Sequence, residues 1–126
     1  MKPTVLHIED NPDNMMLIRR ILRSDCYNLI ESKTGAQGLS IAENQAVDLI
    51  LLDINLPDID GYEVARRIRT STNTALANIP IIVVTANAMK GDAKKALDAG
   101  CNLYMSKPIN IQELLEKVEH FTYKEA

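Results

Sequence analysis

The chain has 126 residues, 46% of them apolar and 25% charged, and 14 basic against 17 acidic side chains leave a net charge of −3. That is the size and make-up of one globular domain, and an acidic balance without blocks of like charge argues against a nucleic-acid-binding face. No apolar run approaches the roughly 18 residues of a membrane span, and Met1-Lys2-Pro3-Thr4 leads straight into a strand-like segment, so no signal peptide is expected either.

In chain order, the first strand is predicted at Val5–Ile8 and the first helix at Asp13–Ser24, with Asn11 or Asp13 as its N-cap and Leu17, Ile18, Ile21 and Leu22 as its apolar stripe. The more polar segment Asn28–Glu31 reads as an edge strand. A second helix follows at Ala36–Asn44. The third strand, Leu49–Asp53, is a nearly continuous apolar run, as strands buried on both faces of a parallel sheet are. A third helix follows Gly61, with Val64, Ala65 and Ile68 inward and Arg66, Arg67 and Arg69 outward. Thr70–Asn78 reads as a polar surface loop. The fourth strand is Ile81–Thr85, the fourth helix Lys90–Ala99 with Gly100 at its C′ position, the fifth strand Leu103–Met105, and the fifth helix Ile111–Phe121. Cys26 and Cys101 match no metal-ligand or Cys-x-x-Cys spacing and read as two reduced, largely buried thiols of a cytoplasmic protein.

Strict alternation of strand and helix predicts an α/β fold, a five-stranded parallel sheet with helices on both faces. The common doubly wound, flavodoxin-like order for a (βα)5 chain is 2-1-3-4-5, and ligands then gather outside the strands' carboxyl ends at the switch between strands 1 and 3. Glu9 and Asp10 follow strand 1, Asp53 ends strand 3, Thr85 closes strand 4, and Lys107 lies just past strand 5. The order places all five on one edge. Neighbouring carboxylates repel by about 4 kcal/mol per pair at 4 Å and an effective dielectric near 20. A pocket of three needs a cation, and Asp53 is then available as a nucleophile.

Glu9-Asp10, Asp53, Thr85 and Lys107-Pro108, in this order and at these element ends, resemble the receiver domain of two-component response regulators over the whole chain. The acidic pair is Glu-Asp where many members carry Asp-Asp. The stretch Thr85-Ala86-Asn87-Ala88-Met89-Lys90-Gly91-Asp92 is similar to the single-domain, stand-alone receivers. The expectation is therefore one receiver domain over 1–126, with a core at about 4–121 and no effector domain.

The resemblance implies Mg2+ held by Asp10, Asp53 and the backbone carbonyl of Asn55, with Glu9 reaching it through water; oxygen-only ligation suits Mg2+, and Mn2+ is an expected substitute. It implies that Asp53 accepts a phosphoryl group from a histidine kinase or histidine phosphotransfer protein. The Lys107 ammonium and the Thr85 hydroxyl would then stabilise the group. Tyr104 would swing between outward and inward positions as Thr85 moves, and the Lys107-Pro108 bond is expected to be cis. Output would pass from the surface of the fourth helix, fifth strand and fifth helix to a downstream protein target, with no direct contact to nucleic acid and no membrane insertion. Asn55 and Asn87 flank the site and are expected to tune the phosphoryl lifetime. The chain would be a switch, not an enzyme, catalysing only its own phosphorylation and dephosphorylation. His7 and His120 lie off this edge and suggest no phosphotransfer histidine.

Three rival readings remain. An aspartate-nucleophile phosphatase needs a second Asp two residues after the first, and Asn55 stands there. A flavodoxin-like cofactor binder needs a Gly- or Ser/Thr-rich phosphate loop after strand 1, where this chain has Glu9-Asp10-Asn11-Pro12. A receiver excised from a hybrid histidine kinase shares every feature above.

Overall fold

The computed structural model describes residues 2–86 and 92–122. Strands β1 (Thr4–Ile8), β2 (Asn28–Ser32), β3 (Leu49–Leu52), β4 (Ile81–Thr85) and β5 (Leu103–Ser106) form one parallel sheet in the order β2-β1-β3-β4-β5. The described helices are α1 (Pro12–Ile21), α2 (Gly35–Asn44), α3 (Gly61–Arg69), α4 (Thr74–Ala77), α5 (Asp92–Asp98) and α6 (Ile111–Thr122). The predicted doubly wound sheet is thus the one observed, with β2 at the edge.

Alternation along the strands divides the core in two, because successive side chains of a strand point to opposite faces. Leu6, Ile8, Ile50, Leu52, Ile81 and Val83 pack with Ala42 of α2, Val64, Ala65 and Ile68 of α3, Leu76 of α4 and Ala96 of α5. Val5, Leu49, Leu51, Ile82 and Val84 pack on the other face with Ile18 and Ile21 of α1 and Leu114 and Val118 of α6. Hydrophobic contact with helices on both sides is why β1, β3 and β4 are apolar almost throughout.

The structure departs from the sequence reading at several places. α1 ends at Ile21, three residues short of Ser24: Leu22 leaves helical geometry, and Cys26 and Tyr27 both bond back to the Arg23 carbonyl, a turn that brings Tyr27 into the core. The loop after α3 holds a single helical turn, α4, started by Asn73 accepting from the Ala75 and Leu76 N–H groups and anchored by buried Leu76. β3 stops at Leu52, although the Asp53 N–H still donates to the Ile8 carbonyl at 3.0 Å. Lys90, the expected start of the helix observed at Asp92–Asp98, lies outside the described residues, as does Asn87. Cys26 is exposed, contrary to expectation, because the turn after α1 carries it outward. Cys101 is buried, and burial pushes its thiol up to about 11.

Two glycines are required by their surroundings. Gly100 has φ +100°, and the bonds from its N–H to Leu97 and from Cys101 to Ala96 close α5 in the double-bonded C-cap that favours glycine there. Gly61 lets α3 begin against the end of β3: a Cβ on it would sit 2.5 Å from the Asp53 carbonyl oxygen and 2.7 Å from the Ile54 Cα. Gly61→Ala should therefore cost about 2 kcal/mol by overpacking, read as a lower urea midpoint.

His7 is an interior polar group in β1, 4% exposed, and its Nδ1 has no hydrogen-bond partner among the described residues. Burial lowers its pKa to about 4, with Lys107 adding to the shift and Glu31 and Asp53 opposing it. The unfolded chain takes up a proton at this histidine below its ordinary value near 6.5, while the folded chain does not until about 4. The histidine therefore destabilises the fold increasingly as pH falls through that window. His7→Val should gain about 1 kcal/mol at neutral pH by removing an orphaned polar atom. Its advantage over the wild type should grow by about 3 kcal/mol between pH 6.5 and 4, measured by urea unfolding across the range.

Candidate functional site

The carboxyl ends of β1, β3, β4 and β5 converge on one edge, and each delivers a polar side chain there. Glu9 follows β1; its N–H bonds to Ser32 at 2.9 Å, which continues the β1–β2 ladder one residue past Ile8. Asp10 and Asn11 then turn into α1, where the Asn11 side chain caps the helix by accepting from Asp13 at 2.9 Å and Asn14 at 3.1 Å. Of the two expected caps, Asn11 is the one used. Thr85 ends β4 and is fully buried. The Lys107 N–H bonds to the Thr85 carbonyl at 2.8 Å, which holds the base of the lysine in register, and the Lys107-Pro108 peptide bond is cis.

Glu9, Asp10 and Asp53 bring carboxylate oxygens within 4.8 Å of one another. Glu9 and Asp53 are buried and Asp10 is exposed, so the group opens to solvent on one side only. The Lys107 ammonium lies 2.8 Å from Glu9 Oε1 and 3.5 Å from Asp53 Oδ2. The Asn55 N–H donates to Asp53 Oδ1 at 3.3 Å. Asn55 and Thr85 line a common cleft of about 240 Å3 with Ile54, Tyr62 and Lys95. The five predicted edge residues are therefore gathered with Asn55, while Tyr104 stands one position before Met105 on β5, half-buried against the core face that carries Ile8 and Leu52.

Electrostatics at this edge are unbalanced toward negative charge. Burial, with a further push from neighbouring Asp53 and an opposing pull from Lys107, brings the Glu9 carboxyl up to about 7. One ammonium facing three carboxylates cannot neutralise them. The donor set is oxygen only, with an exposed member through which an ion can enter, so the residues fit a hard divalent cation. Lys107 makes its short contact to Glu9, a pairing the sequence reading did not contain; the only signal for it was that both residues end on the same sheet edge.

Sequence reasoning also passed over the residues that shape the loop after Asp53. Asp60 accepts from the Tyr62 N–H at 2.7 Å and caps α3. Asp58 accepts from the Gly35 and Ala36 N–H groups, both at 2.8 Å, at the start of α2. An Asp-x-Asp-Gly run between a strand and a helix signals capping, but which helix each carboxylate caps is a tertiary matter.

A model of the response regulator receiver domain matches residues 5–119. The polar-differentiation response regulator DivK of Brucella ovis is 37% identical over 121 residues, covering 96% of this chain and 97% of that protein. The receiver domain of sensor histidine kinase PA1611 from Pseudomonas aeruginosa, solved with a magnesium ion coordinated in its active site cleft, is 38% identical. It superposes with a TM-score of 0.87 over 98% of this chain and 100% of that one. The receiver domain of Ssk1 from Saccharomyces cerevisiae, solved with the histidine phosphotransfer protein Ypd1, is similar at 31% identity and a TM-score of 0.85, covering 97% of this chain and 90% of that one. Fold, edge residues and relatives agree: the chain belongs to the receiver domain family of two-component response regulators.

Proposed function

We propose that this receiver is a cytoplasmic phosphorylation switch whose acceptor is Asp53. The observation that carries the reading is the Lys107 ammonium, 3.5 Å from Asp53 Oδ2 at the one edge where the acidic strand ends meet. A carboxylate oxygen of Asp53 attacks the phosphorus of a phosphohistidine on a histidine kinase or phosphotransfer protein. The new bond is O–P, the bond that breaks is P–N, and the electron pair leaves with the imidazole nitrogen. The Ypd1–Ssk1 complex supports a donor of this class.

Asp10, Asp53, the Asn55 carbonyl and, through water, Glu9 would hold Mg2+, as the magnesium in the PA1611 receiver supports, with Mn2+ as a substitute. The ion, when bound, supplies positive charge that offsets the phosphoryl oxygens. Lys107 offers its ammonium to a second phosphoryl oxygen, exchanging its short contact with Glu9 for one with the new anion. Thr85 offers its hydroxyl to a third. The protein catalyses no other turnover: Asn55 stands where a phosphatase of related fold needs an acid.

The added group carries a charge of about −1.5 to −2. It draws Thr85 toward the edge, Tyr104 follows into the space vacated, and the surface formed by α5, β5 and α6 shifts between two states that a downstream protein reads. Full conversion of such a surface from 1:99 to 99:1 takes roughly 5.5 kcal/mol, within reach of several charge-assisted hydrogen bonds. A second reading, a receiver module within a hybrid histidine kinase, draws on the similarity to the PA1611 domain and leaves the site chemistry unchanged.

Incubation with acetyl phosphate and Mg2+ should add one phosphoryl group to the wild type, mapped by mass spectrometry to Asp53, and none to Asp53→Asn or to the wild type with excess chelator. Phosphorylation of Asp53→Asn to the wild-type extent would remove the assignment. Thr85→Ala should still accept the group but lose phosphorylation-dependent capture of the downstream protein, compared by pull-down with the wild type.

A further inference from the structure

The loop from Asp53 to Asp60 is pinned at both ends, and the downstream pin belongs to another helix. At its start, Gly61 packs against the Asp53 carbonyl, and its N–H bonds to Ile54 at 3.0 Å. Farther along, both oxygens of Asp58 accept from consecutive N–H groups of α2, Gly35 and Ala36, each at 2.8 Å. These N–H groups have no partner within their own helix, and the helix dipole favours a negative group there. The Ala36 and Gly35 bonds hold the Asp58 carboxyl below the usual carboxylate range, so it stays an anion. Gly35 keeps the approach close, since a Cβ there would meet Val64 at 3.0 Å and Ile59 at 3.2 Å.

Between the two pins lies Asn55, whose N–H bonds to Asp53 Oδ1. Ile54, Leu56 and Ile59 pack against the core face shared with α2 and α3. Apolar packing is non-directional and tolerates sliding along the sheet; two parallel hydrogen bonds to a helix end are directional and do not. We propose that Asp58 is a positioning residue of the divalent-cation site, fixing the Asn55 backbone by tying the acceptor loop to the N-terminus of α2. The inference rests on the proposed function above, in which the Asn55 carbonyl is a ligand.

α2 provides its own control. Thr34 caps the same helix from within the chain leading into it, accepting from the Gln37 N–H at 3.1 Å, and among the described residues it makes no hydrogen bond to the acceptor loop. Removing either cap should lower stability to a similar extent, but of the two caps only Asp58 belongs to the acceptor loop. Loss of an outer partner of a ligand commonly weakens a metal by 10–100-fold. Mg2+ affinity, measured by calorimetric titration of the full chain at a temperature where each variant is folded by circular dichroism, should fall about tenfold in Asp58→Ala. It should fall less in Asp58→Asn, which keeps one acceptor oxygen, and stay at the wild-type value in Thr34→Ala. Equal Mg2+ affinity in Asp58→Ala and wild type overturns the proposal, and so does an equal loss in Asp58→Ala and Thr34→Ala, which would trace the effect to helix stability. If Asp58→Ala does not fold, Asp58→Asn against Thr34→Ala decides in the same way. Absence of Mg2+ binding by the wild type instead overturns the site reading and this inference with it, a result separable from a variant that merely matches a binding wild type.

Discussion

One half-buried ammonium shared between two carboxylates organises this molecule. Lys107 reaches Glu9 at 2.8 Å and Asp53 at 3.5 Å from the far side of the sheet, although 98 residues separate it from Glu9. Breaking a buried pair leaves an uncompensated charge and is costly, so β1, β3 and β5 must hold their relative positions for the edge to persist. The continuous apolar strands provide that rigidity: Leu6, Ile8, Leu49, Ile50, Leu51 and Leu52 are essentially without solvent exposure. A core packed from both faces lets three carboxylates be held close together at its rim, an arrangement unfavourable by itself.

The unfavourable balance is the functional content of the edge. Glu9 is pushed up to about 7, first by burial and then by neighbouring Asp53, against the opposing pull of Lys107. A site in this condition gains most from a cation. α5 is thinly attached: among its described side chains only Ala96 is buried. α6, anchored by Leu114 and Val118, and α3, with five buried residues from Gly61 to Ile68, are held far more firmly. An element with little buried surface is the cheaper one to move.

The same logic applies to the loop that begins at Asp53. Its three acidic residues have different tasks: Asp53 faces the edge, Asp58 caps α2 and Asp60 caps α3. The loop is thereby coupled to two helices on one face of the sheet.

The strands, the main helices and the identity of the edge residues were legible in the chain because they rest on local signals. Apolar runs of β length, helical periodicity and polar residues at element ends each involve neighbours in sequence, and βα alternation leaves few topologies. α4 and the early end of α1 were not legible: buried Leu76 and Tyr27 determine them through contacts remote in sequence. Exposed Cys26 follows from the same turn. Lys107 could be placed on the edge from sequence, but its preference for Glu9 depends on angstrom-scale distances between separate strands. Asp58 carried a capping signal whose target lay 23 residues upstream. The sequence alone determined which residues meet, because strand order follows from pattern; only the tertiary structure decided which of them bond, because hydrogen bonds and ion pairs are set by distance and direction across the fold.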